Sequence, residues 1–208
     1  MPLADYLALL AMITAMAFTP GPNTTLSTAL AANLGLRHAM RFVLAVPVGW
    51  LLLLLGASLG VAGAVQAWPP LGWVIQAIGL GYMTLLAWRL WHARHLSEAD
   101  AAQLGVGFRE GVALQFVNIK AWMAALTVSA GWVLPGPLGE RLLVVVPTMM
   151  FYAFASNFSY ALIGALLRRW LAQGRRLLVF NRAMATLLAL TALWLALGGA
   201  ALGGAARG

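Results

Sequence analysis

The chain has 208 residues, of which 62% are hydrophobic and 9% are charged, and its mean hydropathy is +0.88. A soluble domain carries about 25% charged residues, so this composition excludes an ordinary soluble protein. The net charge of +8 does not indicate nucleic-acid binding, because the charges fall between apolar segments and not on one soluble face. The sequence has no cysteine, which excludes a disulfide framework and thiol redox chemistry.

Apolar segments follow one another along the whole chain. A hydrocarbon core about 30 Å thick is crossed by roughly 20 apolar residues of helix, so the length allows about six crossings. The runs are too long and too rich in leucine and alanine for strands. The sequence therefore predicts an all-α membrane protein, a single transmembrane domain over residues 1–208 with six transmembrane helices, at 4–30, 42–65, 71–91, 110–133, 142–167 and 183–204.

Basic residues divide unevenly between the two sides of the predicted helices. Cytoplasmic loops carry an excess of Lys and Arg, so the richer side is expected to face the cytoplasm and both termini the periplasm. The poorer side receives Arg141 and Arg207. The richer side receives Arg37, Arg41, Arg89, Arg94, Arg109, Arg168, Arg169, Arg175, Arg176 and Arg182.

The first segment contains the string FTPGPNTTL, residues 18–26. Pro20 and Pro22 have no N–H and bias Thr19 and Gly21 away from the helical region, so the helix is expected to break here. In lipid such a break must face protein or a wet cavity, and broken helices at membrane depth indicate a transporter binding site. A new helix starting near Asn23 would offer free N–H groups to a carboxylate. A packing kink without a ligand is the alternative.

The fourth segment contains Lys120, 11 residues after Arg109 at the cytoplasmic edge. At 1.5 Å per residue this places it about 16 Å deep, near the midplane, where an ionisable residue indicates a functional site. Lys120 would pair with a substrate carboxylate. Alternatively it bonds the carbonyls freed by the first break or snorkels away. Gln115, Asn118 and Trp122 share one helix face, and Lys120 lies nearly opposite Asn118 unless the helix unwinds.

The fifth segment carries a polar stripe on one helix face, formed by Tyr152, Ser156, Ser159 and Tyr160, with Asn157 beside it. Such a stripe faces the bundle interior, either as a substrate pathway or as contacts between helices. We expect Tyr152 and Ser156 to meet the substrate's amine or side chain. Glycines in the third segment, including Gly79 and Gly81, are read as close-packing positions.

The five acidic residues all lie at segment ends or in connectors, so the sequence predicts no buried carboxylate relay for protons. His92 and His95 are read as surface residues, because no cysteine or nearby cluster completes a metal site. No metal or other cofactor is therefore expected.

The two halves of the chain, about 1–92 and 108–204, start on opposite sides of the membrane. Each begins with the helix that carries its unusual polar string, PGPN in one and NIK in the other. An inverted-topology repeat of 3+3 helices, with breaks in helix 1 and helix 4 and the site at the repeat interface, predicts this arrangement.

Four strings resemble the LysE/RhtB family of bacterial amino-acid exporters. TPGPN resembles its Pro-Gly-Pro-Asn/Asp hallmark, and FREGVALQFVNIKAW, residues 108–122, resembles its Phe-x-x-Gly…Asn-Pro-Lys string. GLGYMTLLAWRL, residues 79–90, and FNRAMATLLAL, from Phe180, resemble the end of its third helix and the start of its last. Two positions depart from the pattern: Ile119 replaces a proline, so the break in helix 4 is expected to be weaker, and Ala39 replaces a common glycine.

The resemblance implies a six-helix inner-membrane protein that expels amino acids or relatives, driven by the proton gradient. The binding residues it implies are Pro20, Gly21, Pro22, Asn23, Asn118 and Lys120. With no acid in the interior of the segments, Lys120 is the candidate for the titrating group. The partners expected are an amino-acid substrate, membrane lipids and a second copy of the chain in a homodimer. A metal or cation exporter, a membrane redox or assembly protein and a membrane enzyme stay as alternatives, the enzyme last.

Overall fold

The structure, a computed structural model, describes residues 1–60, 69–93 and 106–205. Helices occupy most of these residues, and the prediction of an all-α protein is confirmed for them. They are α1 Leu3–Phe18, α2 Pro22–Leu34, α3 Leu36–Ser58, α4 Pro69–His92, α5 Phe108–Val117, α6 Ile119–Val128 with a π-helical turn Ser129–Val133, α7 Leu138–Leu171 and α8 Arg176–Ala205.

Three of these helices contain stretches long and apolar enough to cross a membrane: Leu36–Ser58, Leu138–Leu171 and Arg176–Trp194. Two bent helix pairs, α1 with α2 and α5 with α6, bring the number of candidate spans to five if each pair is one span. The predicted end of the second segment, residues 61–65, lies outside the described residues, as do Arg94, His95 and Arg207.

The first segment breaks where its prolines predict. Helix α1 ends at Phe18, α2 begins at Pro22, and their axes differ by 51°. Pro22 is the first residue of α2, a position where a missing N–H leaves no hydrogen bond unmade and a φ fixed near −65° is already helical. The first proline therefore keeps the extended Thr19 out of the old helix, and the second proline starts the new one.

The fourth segment bends even more sharply, by 71° between α5 and α6. The break predicted in helix 4 is therefore present although Ile119 replaces the family's proline. Asn118 supplies what proline does not: its backbone is extended, and its side-chain oxygen accepts a hydrogen bond of 3.1 Å from the Lys120 N–H, which caps α6. Trp122 Nε1 reaches back across the bend and donates to the Phe116 carbonyl at 2.7 Å. Hydrogen bonds made by these two side chains thus stabilise the bend between α5 and α6.

Helix α2 is the centre of the bundle. All residues from Gly21 to Asn33 are buried, and the helix packs chiefly against α7. The approach is close at Gly164 of α7, where an added Cβ would lie 2.2 Å from the Thr28 carbonyl oxygen. A side chain at position 164 would therefore push the two helices apart.

The remaining helices pack in pairs drawn from the two halves of the chain. Helix α3 contacts α7 and also α5, and α4 contacts α8. Gly79 of α4 is a close-packing position as predicted, because an added Cβ would lie 2.0 Å from the Val117 carbonyl oxygen. The same expectation was wrong for Gly81, where an added Cβ meets nothing within 4 Å among the described residues.

Candidate functional site

The two helix breaks meet around one small polar cavity. Its volume is about 20 Å³, close to the minimum that holds one water molecule and too small for an amino acid. Among the described residues that line it, Lys120 alone is charged. The lining residues are Met16, Ala17, Thr19, Gly21, Pro22, Asn23, Thr24, Trp50, Asn118, Lys120, Ser156 and Asn157.

The carbonyls freed at the end of α1 accept hydrogen bonds from two other helices. Lys120 Nζ of α6 donates to the Thr19 carbonyl at 2.7 Å, and the Tyr160 hydroxyl of α7 donates to the Phe18 carbonyl at 3.0 Å. Lys120 thus bonds a freed carbonyl, which was the alternative to a substrate contact, and it still lines the cavity. Gly21 leaves room for this, since an added Cβ there would lie 3.3 Å from Lys120 Nζ.

The beginning of α2 presents backbone donors at the same place. The first N–H groups of a helix have no acceptor within it. Pro22 has no N–H, and the Thr25 N–H donates to the Gly21 carbonyl at 2.9 Å. The N–H groups of Asn23 and Thr24 are therefore those that no carbonyl of the helix accepts, and this positive end of the helix dipole favours an anion.

A reciprocal amide pair joins the two broken helices. Asn23 Nδ2 donates to Gln115 Oε1 at 2.8 Å, and Gln115 Nε2 donates to Asn23 Oδ1 at 3.1 Å. Trp50 Nε1 donates to the same Gln115 oxygen at 3.1 Å, and Asn118 Nδ2 lies 3.5 Å from Asn23 Oδ1. Buried amides that satisfy one another in this way hold their helices in one register.

A second polar contact ties α2 to α7 on the far wall of the cavity. The Ser27 hydroxyl donates to Asn157 Oδ1 at 2.9 Å, and Asn157 Nδ2 donates to the Ala153 carbonyl at 2.8 Å. Ser156, fully buried beside Asn157, lines the cavity. The polar stripe of the fifth segment therefore serves partly as contacts between helices.

Six of the residues proposed from the sequence line this cavity: Gly21, Pro22, Asn23, Asn118, Lys120 and Ser156. Asn118 and Lys120 meet there because the helix unwinds at Asn118, which a regular helix would not allow. Pro20 lies instead in a neighbouring groove between α1, α6 and α8. Tyr152 lies apart, in a cavity shared with Tyr6 and Thr148.

Several polar contacts between helices were not predicted. Gln115 was placed on the face of Asn118, but its pairing with Asn23 spans 92 positions and has no local signal. A second reciprocal amide pair, Asn33 with Asn181, joins α2 to α8 with bonds of 2.7 and 2.9 Å. Asn181 also donates to the Ala93 carbonyl at the end of α4, at 3.0 Å. Buried asparagines in apolar helices are the one hint that the sequence offered.

Three relatives give the arrangement a context. Cysteine/O-acetylserine efflux proteins of Escherichia coli K12, Klebsiella pneumoniae and Salmonella typhimurium are similar to this chain. The first is 30% identical over 170 residues, which cover 80% of this chain and 85% of the relative. The second is 29% identical over 163 residues (77% and 83%), and the third 29% over 159 residues (74% and 78%).

No family model matches the chain, and no solved structure matches it significantly. Within the described residues, no group of three His, Asp or Glu side chains is placed to hold a metal ion. The relatives are efflux proteins and not enzymes, and their similarity covers most of the chain. Together with the apolar helices, this identifies a multi-pass membrane transport protein. The chain belongs to the LysE/RhtB family of amino-acid exporters.

Proposed function

We propose that the chain is a secondary transporter of the bacterial inner membrane that exports an amino acid or a related small zwitterion, driven by the proton gradient. One observation carries the proposal: the breaks of two helices meet at a polar cavity that contains one lysine and one helix N-terminus. Broken helices at membrane depth are the sites at which secondary transporters bind small charged solutes.

The charges at this cavity complement a zwitterion. The substrate carboxylate would accept hydrogen bonds from the Asn23 and Thr24 N–H groups and from Lys120 Nζ. The substrate ammonium would donate to the carbonyls of Phe18 and Thr19, which now accept from Tyr160 and Lys120. The carboxylate would thus replace the Thr19 carbonyl as the acceptor of Lys120, and the ammonium would replace Lys120 as the donor to that carbonyl, so neither of these two protein groups loses its partner on binding.

Six crossings in a 3+3 inverted repeat form part of this proposal. Three single helices and two bent pairs would account for five crossings. The sixth would be α4, whose 24 residues reach about 36 Å, enough to cross the hydrocarbon core. In such a repeat, α1 and α2 correspond to α5 and α6, and α3 corresponds to α7. The contact of α1 and α2 with α7 then corresponds to the contact of α5 and α6 with α3. The same correspondence leaves the α3–α7 and α4–α8 contacts in place. An even number of crossings also agrees with both termini in the periplasm.

Transport requires this site to open. A cavity of about 20 Å³ excludes an amino acid, so the site is closed in this structure. The contacts that would separate are the Asn23–Gln115 amide pair and the bond from Lys120 to Thr19, since both join one repeat to the other. Movement of one repeat against the other would expose the cavity to each side in turn. Lys120 is the group we propose to bind and release the coupling proton.

The test is export from cells that express the full chain, with a panel of amino acids and dipeptides supplied inside. Lys120→Met and Asn23→Ala are expected to lower export at least tenfold at equal abundance in the membrane. Asn33→Ala is the matched control, because Asn33 also lies in α2 in a buried reciprocal amide pair, but outside the cavity lining. Full pH-driven export by Lys120→Met would contradict the role of Lys120, and export of no amino acid by the wild type would contradict the function.

A further inference from the structure

A second, larger space adjoins the polar cavity. It is a groove of about 540 Å³ between α1, α6 and α8, within the 300–1,000 Å³ typical of small-molecule sites. Its walls are apolar and include Met16, Pro20, Met123, Leu187, Leu190 and Trp194. The polar cavity has room for one water molecule, whereas this groove has room for a whole side chain.

The groove and the polar cavity are continuous. Met16, Thr19 and Lys120 line both, so the Lys120 side chain stands at the boundary between them. Lys120 is the one charged side chain among the described residues that line the groove. An anion bound at Lys120 therefore has the groove directly beside it.

Few polar side chains line the groove besides Lys120. The Thr191 hydroxyl donates to the Leu187 carbonyl at 2.8 Å, and the Thr19 hydroxyl donates to the Ala15 carbonyl. The Trp194 indole N–H is the other side-chain donor of the described walls, on a residue that is 65% exposed. Most of the described wall therefore offers a polar occupant no hydrogen bond in place of its water, whereas an apolar occupant needs none.

We propose that this groove holds the side chain of the exported amino acid, so that the protein selects substrates with large apolar side chains. This inference rests on the proposed function, which places the substrate carboxylate at Lys120. Charge complementarity favours such an occupant over a lipid acyl chain, which brings no anion to Lys120 at this depth. A methylene group more or less in an apolar pocket changes specificity about tenfold or more, so the groove would discriminate strongly.

Two leucines of α8 give a matched test. Leu190 lines the groove and is 56% exposed, whereas Leu193 is 55% exposed and is not part of the lining. Replacing either leucine by tryptophan should affect the stability of the fold equally, because neither side chain is buried. Met123→Trp, at another exposed position of the lining, is a second variant that fills the groove from α6.

The experiment measures export of leucine, methionine, phenylalanine, cysteine and O-acetylserine at matched membrane abundance. For the wild type we expect the three apolar amino acids to leave faster than cysteine. Leu190→Trp and Met123→Trp should each lower the ratio of leucine to cysteine export about tenfold, while Leu193→Trp leaves the ratio unchanged.

The outcomes separate the two proposals. If amino acids are exported but neither groove variant changes the ratio, the groove holds a lipid chain or a second copy, and this inference alone is overturned. Equal loss of all five substrates in the groove variants, accompanied by loss of an oligomer, also overturns this inference alone. If the wild type exports none of these five but exports another amino acid of the wider panel, this inference alone is overturned. If it exports no amino acid at all, the proposed function fails and this inference fails with it.

Discussion

The side-chain amides of Asn23 and Gln115 face each other across the two broken helices and exchange hydrogen bonds of 2.8 and 3.1 Å. Both residues are buried, and the Trp50 indole donates to the same Gln115 oxygen. The site is thus closed by groups that satisfy one another without water. Opening it would expose three polar groups at once.

Gln115→Leu is expected to destabilise the protein by about 1–3 kcal/mol, because it leaves the buried Asn23 amide without its partner. Thermal unfolding of the purified protein in detergent measures this. The double variant with Asn23→Leu should lose less stability than the sum of the two single variants, with a coupling of about 1 kcal/mol or more. Strict additivity would show that the pair contributes nothing beyond its separate members.

Tyr160→Phe is expected to reduce stability by about 1 kcal/mol and to lower export, since the Phe18 carbonyl loses its hydrogen bond. Tyr152→Phe is the matched control on the same helix, because Tyr152 lies outside the polar cavity. Its export should stay within about twofold of wild type. Initial export rates of both variants decide the matter, and a larger loss for Tyr152→Phe would restore the role that the sequence suggested for it.

Ile119→Pro is expected to be tolerated, with unchanged or slightly raised stability and retained export. Ile119 is the first residue of α6, where proline is favoured, and Asn118 before it already has the extended backbone that proline requires. The gain would be about 0.4–1 kcal/mol, from a less flexible unfolded chain.

Ala124→Pro, in the interior of α6, is the control and should abolish folding or cost about 3 kcal/mol. Size-exclusion profiles and melting temperatures in detergent compare the two variants. Similar damage from both would mean that the bend at Asn118 does not place residue 119 at a helix start.

Gly79→Ala is expected to destabilise the packing of α4 strongly, because the added methyl would overlap the Val117 carbonyl and backbone cannot yield as a side chain does. Gly81→Ala, two residues later, should be neutral or stabilising by up to about 1 kcal/mol, as alanine favours helix and meets open space. Membrane abundance and melting temperature report the difference. Equal effects of the two substitutions would show that α4 does not approach the Val117 backbone closely at Gly79.

Local chemistry explains which features could be predicted. Proline lacks an N–H wherever it stands, so the break after Phe18 and the restart at Pro22 follow from the string itself. The sharpness of the second break could not be predicted, because the Asn118 cap and the Trp122 hydrogen bond depend on side-chain conformations that the sequence alone does not determine. A periodic stripe reveals a helix face but not which of its residues reaches the cavity: Ser156 lines it, whereas Tyr152 lies in a separate cavity.

Long-range pairing could not be predicted at all. The partners Asn33 and Asn181 lie 148 positions apart, and one sequence gives no reason to match these two among the polar residues of the segments. The depth of Lys120 in the membrane, counted along the helix from Arg109, stays a prediction. Its acceptor was accessible only as one alternative, since the Thr19 carbonyl lies 101 positions away.

The complete burial of α2 has a consequence for biosynthesis. This helix is rich in threonine, serine and asparagine, so it is poorly suited to contact lipid by itself. Its main cover, α7, begins at Leu138 and is synthesised more than 100 residues later. The translocon or a chaperone must therefore shelter residues 22–34 while the ribosome completes the second half. Nascent chains that end before α7 should be degraded rapidly, whereas those that include it should persist.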